Sequence, residues 1–202
     1  MNKKEYIHKE NIARIYICGP SGTGKTTLAK WVSEEFGIPF ITTSTKPLWN
    51  EFGITSHKEL IEKADKDPHF GFAFQMRLLD YRIEKLKSDS WITDRSPVDN
   101  LMYFMMQNLH HCTEAQYVEY AIRCQAALSS GTHLIISPML NDIKLENDGM
   151  RISNRHYQMF TSIVMDYALK ELSTANTIKK CKRLENWDWE DRKQIITKFL
   201  TK

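Results

Sequence analysis

Between a β-rich run, Ala13-Arg14-Ile15-Tyr16-Ile17-Cys18, and a helical run that begins at Lys25 stands the octet Gly19-Pro20-Ser21-Gly22-Thr23-Gly24-Lys25-Thr26. It fits G-x-x-x-x-G-K-[ST] at every fixed position, with a strand before it and a helix after it. Each residue type has a physical task. The glycines Gly19, Gly22 and Gly24 permit positive φ angles, so that successive backbone N–H groups, with those of Ser21 and Thr23, turn toward one anion. The helix N-terminus adds partial positive charge at the same point. Lys25 can then reach the β- and γ-phosphates of a nucleoside triphosphate, and the Thr26 hydroxyl is a hard oxygen ligand for Mg²⁺. Thr27 can donate one further hydrogen bond. The octet therefore predicts a site for a nucleoside triphosphate such as ATP, with Mg²⁺.

Composition narrows the class without naming an activity. With 202 residues the chain can bury a core unaided and suits one domain over 1–202. A balance of 28 Lys+Arg against 25 Asp+Glu gives no polyelectrolyte character that would by itself announce a nucleic-acid binder. No run approaches the roughly 18 apolar residues of a membrane span, and the N-terminus is polar, unlike a secretory signal. Cys18, Cys112, Cys124 and Cys181 are scattered, which reads as reduced thiols. These features predict a soluble cytoplasmic protein with no membrane partner; a homodimer is left open. His110-His111-Cys112 invites a metal reading, but adjacent ligands should point different ways and no second cluster stands at zinc-finger spacing, so none is expected there.

Short β-type runs alternate with longer helical ones, the pattern of a parallel sheet covered by helices. Strands are expected at 13–18, 39–43, 91–94, 133–136 and around 177–179. Helices are expected at 25–36, from Ser56 to about Asp65, and at 70–87. Further helices are expected after Ser96-Pro97, from Thr113 to near Ser129, at 154–172 and at 188–200. Ser56-His57-Lys58-Glu59 and Thr113-Glu114-Ala115-Gln116 read as capping boxes.

In a doubly wound sheet ligands gather at the carboxyl ends of strands. Asp94 ends the Trp91-Ile92-Thr93 strand, so it should project into the crevice beside the phosphate loop. There it could hold Mg²⁺ or accept a proton from an attacking hydroxyl. Arg95 could clamp phosphate oxygens with its planar fork.

With Lys25-Thr26 and Asp94-Arg95-Ser96-Pro97 together, the chain resembles the small P-loop kinases of the thymidylate kinase and deoxynucleoside kinase group, and bacteriophage proteins of that layout. The segment Phe72-Ala73-Phe74-Gln75-Met76-Arg77 is similar to the helix with which those enzymes hold a nucleobase. The resemblance implies an α/β, three-layer P-loop NTPase fold, with about five parallel strands, helices on both faces and a lid. It also implies ATP-dependent phosphoryl transfer. The chain departs from the group at two places. Where deoxynucleoside kinases carry a catalytic Glu after the second strand, Thr42 to Trp49 contains no acid, and Ser21 stands where thymidylate kinases often carry Asp. A phosphomonoester acceptor, ionised with a second pKa of about 6, needs less help from a base. The departures therefore favour a nucleotide acceptor.

On the acceptor side, Phe74 and Trp49 offer aromatic faces and Gln75 a two-way amide, with Arg77 on the same helix. Gln75 and Arg77 point different ways on an ideal helix, so at most one should touch the base. Residues 141–156 read as a polar loop leading into a helix. By the resemblance they form a lid that brings Arg151 and Arg155 to the transferring phosphoryl group, whose dispersed charge guanidinium groups stabilise. Three functions stay open at this point. The first is a kinase for a nucleotide or nucleoside, with a deoxynucleoside monophosphate foremost. The second is a kinase for a hydroxymethylated base, 5-hydroxymethyluracil, in DNA. The third is a regulatory ATP-binding protein or ATPase. No N-K-x-D guanine motif is present.

Overall fold

Arg14–Cys18, β1, alternates side chains between two apolar environments. Ile15 and Ile17 face one cluster with Ile92 and Ile135, whereas Tyr16 and Cys18 face another with Leu134 and Ile136. A strand buried on both faces belongs inside a parallel sheet. The computed structural model describes residues 12–140, 154–173, 177–178 and 180–201. In it β1 pairs in parallel with β2 (Trp91–Thr93) and β3 (His133–Ile136), and β3 with β4 (Lys180–Arg183). The order is β2-β1-β3-β4.

Helices cover both faces. Helix α1 (Lys25–Phe36) and the last helix, α8 (Trp189–Leu200), close the Ile15/Ile17 side through Leu28, Val32, Phe36, Ile196 and Leu200. The other side is closed by α4 (Pro68–Lys85), α5 (Pro97–Asn108), α6 (Glu114–Leu128) and α7 (Arg155–Leu172). Two shorter helices, α2 (Lys46–Glu51) and α3 (His57–Lys66), pack Leu48 and Leu60 with Phe74 and Leu78 of α4. The fold is thus α/β with three layers.

The sequence reading and the structure part at several elements. The strand expected at 39–43 shrinks to one bridge, Phe40 opposite Ile92, held by Ile41 N–H to the Ile92 carbonyl (2.8 Å) and Ile92 N–H to the Pro39 carbonyl (2.9 Å). Pro39 has no N–H to give, and β2 is only three residues long, so a longer ladder has nothing to pair with. The last strand lies at Lys180–Arg183 rather than around 177–179, of which Lys179 lies outside the described residues. Thr177 is buried and Ile178 packs on the core, while the largely exposed Lys-Cys-Lys-Arg run needs only backbone pairing to form an outer strand. Helix α2 was not expected.

The caps follow the residues. Ser96 and Thr113 each make the full reciprocal box, with Asp99 and Gln116. Ser56 accepts from Glu59 N–H, but the Glu59 carboxylate reaches Thr55 N–H (2.8 Å) instead of Ser56.

Helices α4 and α5 approach closely at Gly71, where an added Cβ would lie 2.2 Å from Asn108 Oδ1 and 3.1 Å from Ala64 Cβ. Gly71→Ala should therefore destabilise the fold by about 1–3 kcal/mol through overpacking. This reverses the gain of about 1 kcal/mol that alanine brings to an exposed helix interior. A melting temperature equal to or above the parent's would refute this contact as a constraint.

Candidate active site

The phosphate loop leaves β1 at Gly19, whose added Cβ would sit 2.1 Å from the Ser137 carbonyl oxygen. Only glycine fits between the loop and the end of β3. Gly22 (φ 83°) and Gly24 (φ 76°) take left-handed conformations, so the loop curls back on itself before α1. Lys25, the first residue of α1, is buried, and its ammonium donates to the Gly19 carbonyl (2.7 Å) and the Pro20 carbonyl (2.6 Å). Burial, with the Arg95 charge next in weight, pushes its pKa down to about 8. The Thr23 hydroxyl donates to the Pro20 carbonyl (3.0 Å), and its own carbonyl accepts from Ser137 Oγ (2.8 Å) and Arg192 (3.1 Å). Ser21 is half-buried and Thr27 exposed.

Asp94 follows β2 and turns toward the loop, where its carboxylate accepts from the Thr26 hydroxyl at 2.5 Å. One hydroxyl and one carboxylate side by side are a hard-oxygen pair that suits Mg²⁺.

Arg95 leads to a residue that the sequence reading missed. Its guanidinium lies 3.9 Å from Asp99, a fully buried carboxylate. Asp99 also accepts from Ser96 N–H (2.9 Å), Ser96 Oγ (2.7 Å) and Gly19 N–H (3.3 Å). It thereby ties the phosphate loop to the start of α5. Its signal was the S-x-x-D spacing, Ser96 to Asp99. Burial works against the charge of Arg95, but Tyr103, Asp99 and Asp94 hold its pKa above the ordinary guanidinium value.

A buried arginine, Arg82 of α4, donates to Asn100 Oδ1. Burial, then the nearby Arg95 charge, lowers its pKa to about 10. Arg82, Arg95, Thr43, Ser96 and Asn100 line one small cavity. Arg82 Nε and one terminal nitrogen of Arg95 have no hydrogen-bond acceptor among the described residues. Asn100 donates to the Tyr120 hydroxyl (3.2 Å), which donates to the Gln75 carbonyl (3.3 Å), linking this end of α4 to the other.

At that other end Gln75 donates to Gln107 Oε1 (3.0 Å), and its own side-chain oxygen has no partner among the described residues. It opens on a cavity of about 310 Å³ lined also by Leu60, Phe74, Asn108, Tyr157 and Phe160. Phe74 is buried, edge-on to Phe52 at 5.1 Å between ring centroids. Trp49 is half-buried in the same cluster, its indole N–H enclosed without an acceptor among the described residues. Arg77 faces elsewhere, paired with Glu51 (2.9 Å) and Glu84 (3.4 Å). The residue in line with Gln75 is Arg82, seven positions on, whereas Arg77 is two positions on and turned away.

Thus Lys25, Thr26, Asp94 and Arg95 come together, and Phe74 and Gln75 share a separate cavity. Arg155 is exposed at the start of α7; Arg151 and most of the expected lid, 141–153, lie outside the described residues. Trp187, also unforeseen, stacks on Arg192 (4.4 Å from the guanidinium carbon to the ring centroid) beside Gly24.

A family profile described as an AAA domain matches residues 14–192. The deoxyadenosine kinase of M. mycoides with bound dCTP superposes with a TM-score of 0.60 at 15% identity, over 91% of this chain and 96% of that one. The shikimate kinase of Acinetobacter baumannii in complex with shikimate gives 0.56 at 15%, over 98% and 97%. At such identities the likeness is one of fold. A curated relative, the tRNA dimethylallyltransferase of Microcystis aeruginosa, is 32% identical over 56 residues, 28% of this chain and only 18% of its own length.

Proposed function

Because this chain belongs to the AAA domain family and carries the fold of small P-loop kinases, we propose that it moves the γ-phosphoryl group of Mg·ATP to a nucleotide or nucleoside, foremost a deoxynucleoside monophosphate. The observation that carries this reading is the order of two polar rungs between α4 and α5. The uncharged rung, Gln75–Gln107, opens on the larger cavity, and the cationic rung, Arg82–Asn100, lies near Arg95 and the Thr26–Asp94 pair. They are seven residues apart on α4, or ~10 Å along its axis. That separation suits an acceptor with a base at one end and a phosphate at the other.

In this reading the acceptor's base enters the 310 Å³ cavity, against Phe74 and the free side-chain oxygen of Gln75. The cavity that Arg82 and Arg95 share has room for about one water, so it must open for the acceptor's phosphate to reach their unengaged N–H groups, which are otherwise buried at a cost. An acceptor phosphate oxygen attacks the γ-phosphorus, the bond to the β–γ bridging oxygen breaks, and ADP leaves. That oxygen is already ionised near neutral pH, so the lack of an acid between Thr42 and Trp49 is no handicap. Lys25 and the loop amides hold the β- and γ-phosphates. Thr26 and Asp94 would hold Mg²⁺, which supplies charge neutralisation at the phosphate oxygens when bound. Trp187 places an aromatic plane beside Gly24, where a donor base could stack. Arg151 and Arg155, from the lid expected over 141–156, complete the charge on the moving group.

A kinase for a base within DNA would need basic residues beside the acceptor groove to hold the phosphate backbone. Lys180, Lys182 and Arg183 stand on β4, at the opposite end of the sheet from β2, and Arg183 is paired with Asp166 at 2.7 Å. No observation favours the regulatory reading over transfer.

The test is γ-labelled ATP offered with nucleosides, their monophosphates and DNA containing 5-hydroxymethyluracil. Label is expected in a nucleoside diphosphate, and Asp94→Asn should lower that rate at least about tenfold. Label confined to nucleosides, to DNA or to inorganic phosphate would sink the monophosphate reading.

A further inference from the structure

The turn that follows α5 carries His110 and His111, and the last turn of α3 carries Asp65. Their placement corrects the expectation that adjacent histidines diverge. The two imidazole rings lie 3.8 Å apart between centroids at 43°, and His111 Nε2 is 4.0 Å from Asp65 Oδ1. One donor atom from each of the three lies within 4.8 Å of the others. The backbone fixes this arrangement. His111 and Cys112 both donate their N–H groups to the Asn108 carbonyl (2.9 Å each), and the Asn108 side chain packs against Gly71, beside the Ala64 of α3 that closes on the same glycine. The turn is thus held against the helix pair that bears Asp65.

We propose that Asp65, His110 and His111 form a binding site for a divalent ion of the zinc class, at the rim of the 310 Å³ cavity that Asp65 and His110 help to line. Two imidazoles and one carboxylate are a borderline nitrogen–oxygen set that selects Zn²⁺ over Mg²⁺ or Ca²⁺. Metal–ligand bonds of about 2.0–2.2 Å require the three donors to draw closer than they stand. All three residues are exposed, which leaves their side chains room to turn toward a common ion. Three protein ligands leave a tetrahedral ion one open position, for water or for an oxygen or nitrogen of whatever enters the cavity. This set differs in kind from the Thr26–Asp94 pair, whose hard oxygens suit Mg²⁺. The chain therefore offers two cation sites sorted by ligand chemistry. The inference stands on these three side chains and is independent of the transfer reaction.

The experiment is calorimetric titration of Zn²⁺ into the full chain in buffer containing Mg²⁺. It is repeated on His110→Ala, His111→Ala and Asp65→Asn proteins whose melting temperatures match the parent's. Uptake of one zinc per chain is expected, weakened at least about tenfold in each variant, the smallest loss that accompanies even an outer-shell partner of a metal site. Co²⁺ should give visible d–d absorption in the parent that is lost in the histidine variants. No zinc uptake by the parent, or equal affinity in parent and variants as binding at the thiols would give, overturns the proposal.

Discussion

Lys25→Ala should lower phosphoryl transfer by about 10²–10³-fold, the loss that follows removal of one preorganised donor to developing negative charge. The protein should stay folded. Its ammonium is buried and its charge is disfavoured there, so removing it relieves a desolvation cost while giving up two hydrogen bonds to loop carbonyls. The melting temperature should move by no more than about 4 °C. The depressed pKa adds a sharper expectation. Triphosphate binding uses the protonated lysine, so the affinity of the parent protein for a non-hydrolysable ATP analogue should fall tenfold per pH unit above about 8, not above the ordinary 10.5. The stability of the ligand-free chain moves the other way. Between about 8 and 10.5 the unfolded lysine binds a proton that the folded one has released, so this group makes the fold more stable as pH rises. Unchanged turnover in a folded Lys25→Ala protein would remove the loop from the chemistry.

Asp99→Ala should cost about 3–5 kcal/mol of stability, because it leaves three buried donors without an acceptor at about 1–3 kcal/mol each. The carboxylate is fully buried and receives Ser96 N–H, Ser96 Oγ and Gly19 N–H, with Arg95 beside it. Truncation strands the three buried donors, whereas Arg95, about a third exposed, keeps Tyr103 and Asp94 nearby. At ~2–4 °C per kcal/mol for a chain of this size, the melting temperature drops by roughly 6–20 °C. Asp99→Asn keeps an oxygen for the Ser96 donors and should lose less. Transfer should fall in both, because Arg95 loses the group that orients it and the loop loses a tether at Gly19. Thermal melting of the two variants checks the order, and an alanine variant that melts with the parent would deny Asp99 this bridging role.

How far these features could be read from the chain depended on whether the constraint was local. The octet Gly19–Thr26 is local, and so are the caps at Ser96 and Thr113; each declares its conformation through residues at most seven positions apart. The facing of Asp94 toward Thr26 followed from one topological rule. The choice between Arg77 and Arg82 was harder. Both lie on α4, and only the helix opposite, through Asn100 and Gln107, decides which side is interior. The strand at Lys180–Arg183 hid for a related reason: its pairing uses backbone alone, so its side chains bear none of the marks of a strand. Asp65 and the two histidines meet only because Gly71 lets two helices approach, a fact of packing that no spacing announces.

The charged run on β4 has one more effect. Of its four side chains three carry positive charge, and among the described residues it forms the outer margin of the sheet. Two molecules meeting margin to margin would have to stack ammonium and guanidinium groups against their own kind, a repulsion that discourages the end-on growth of sheets into fibres.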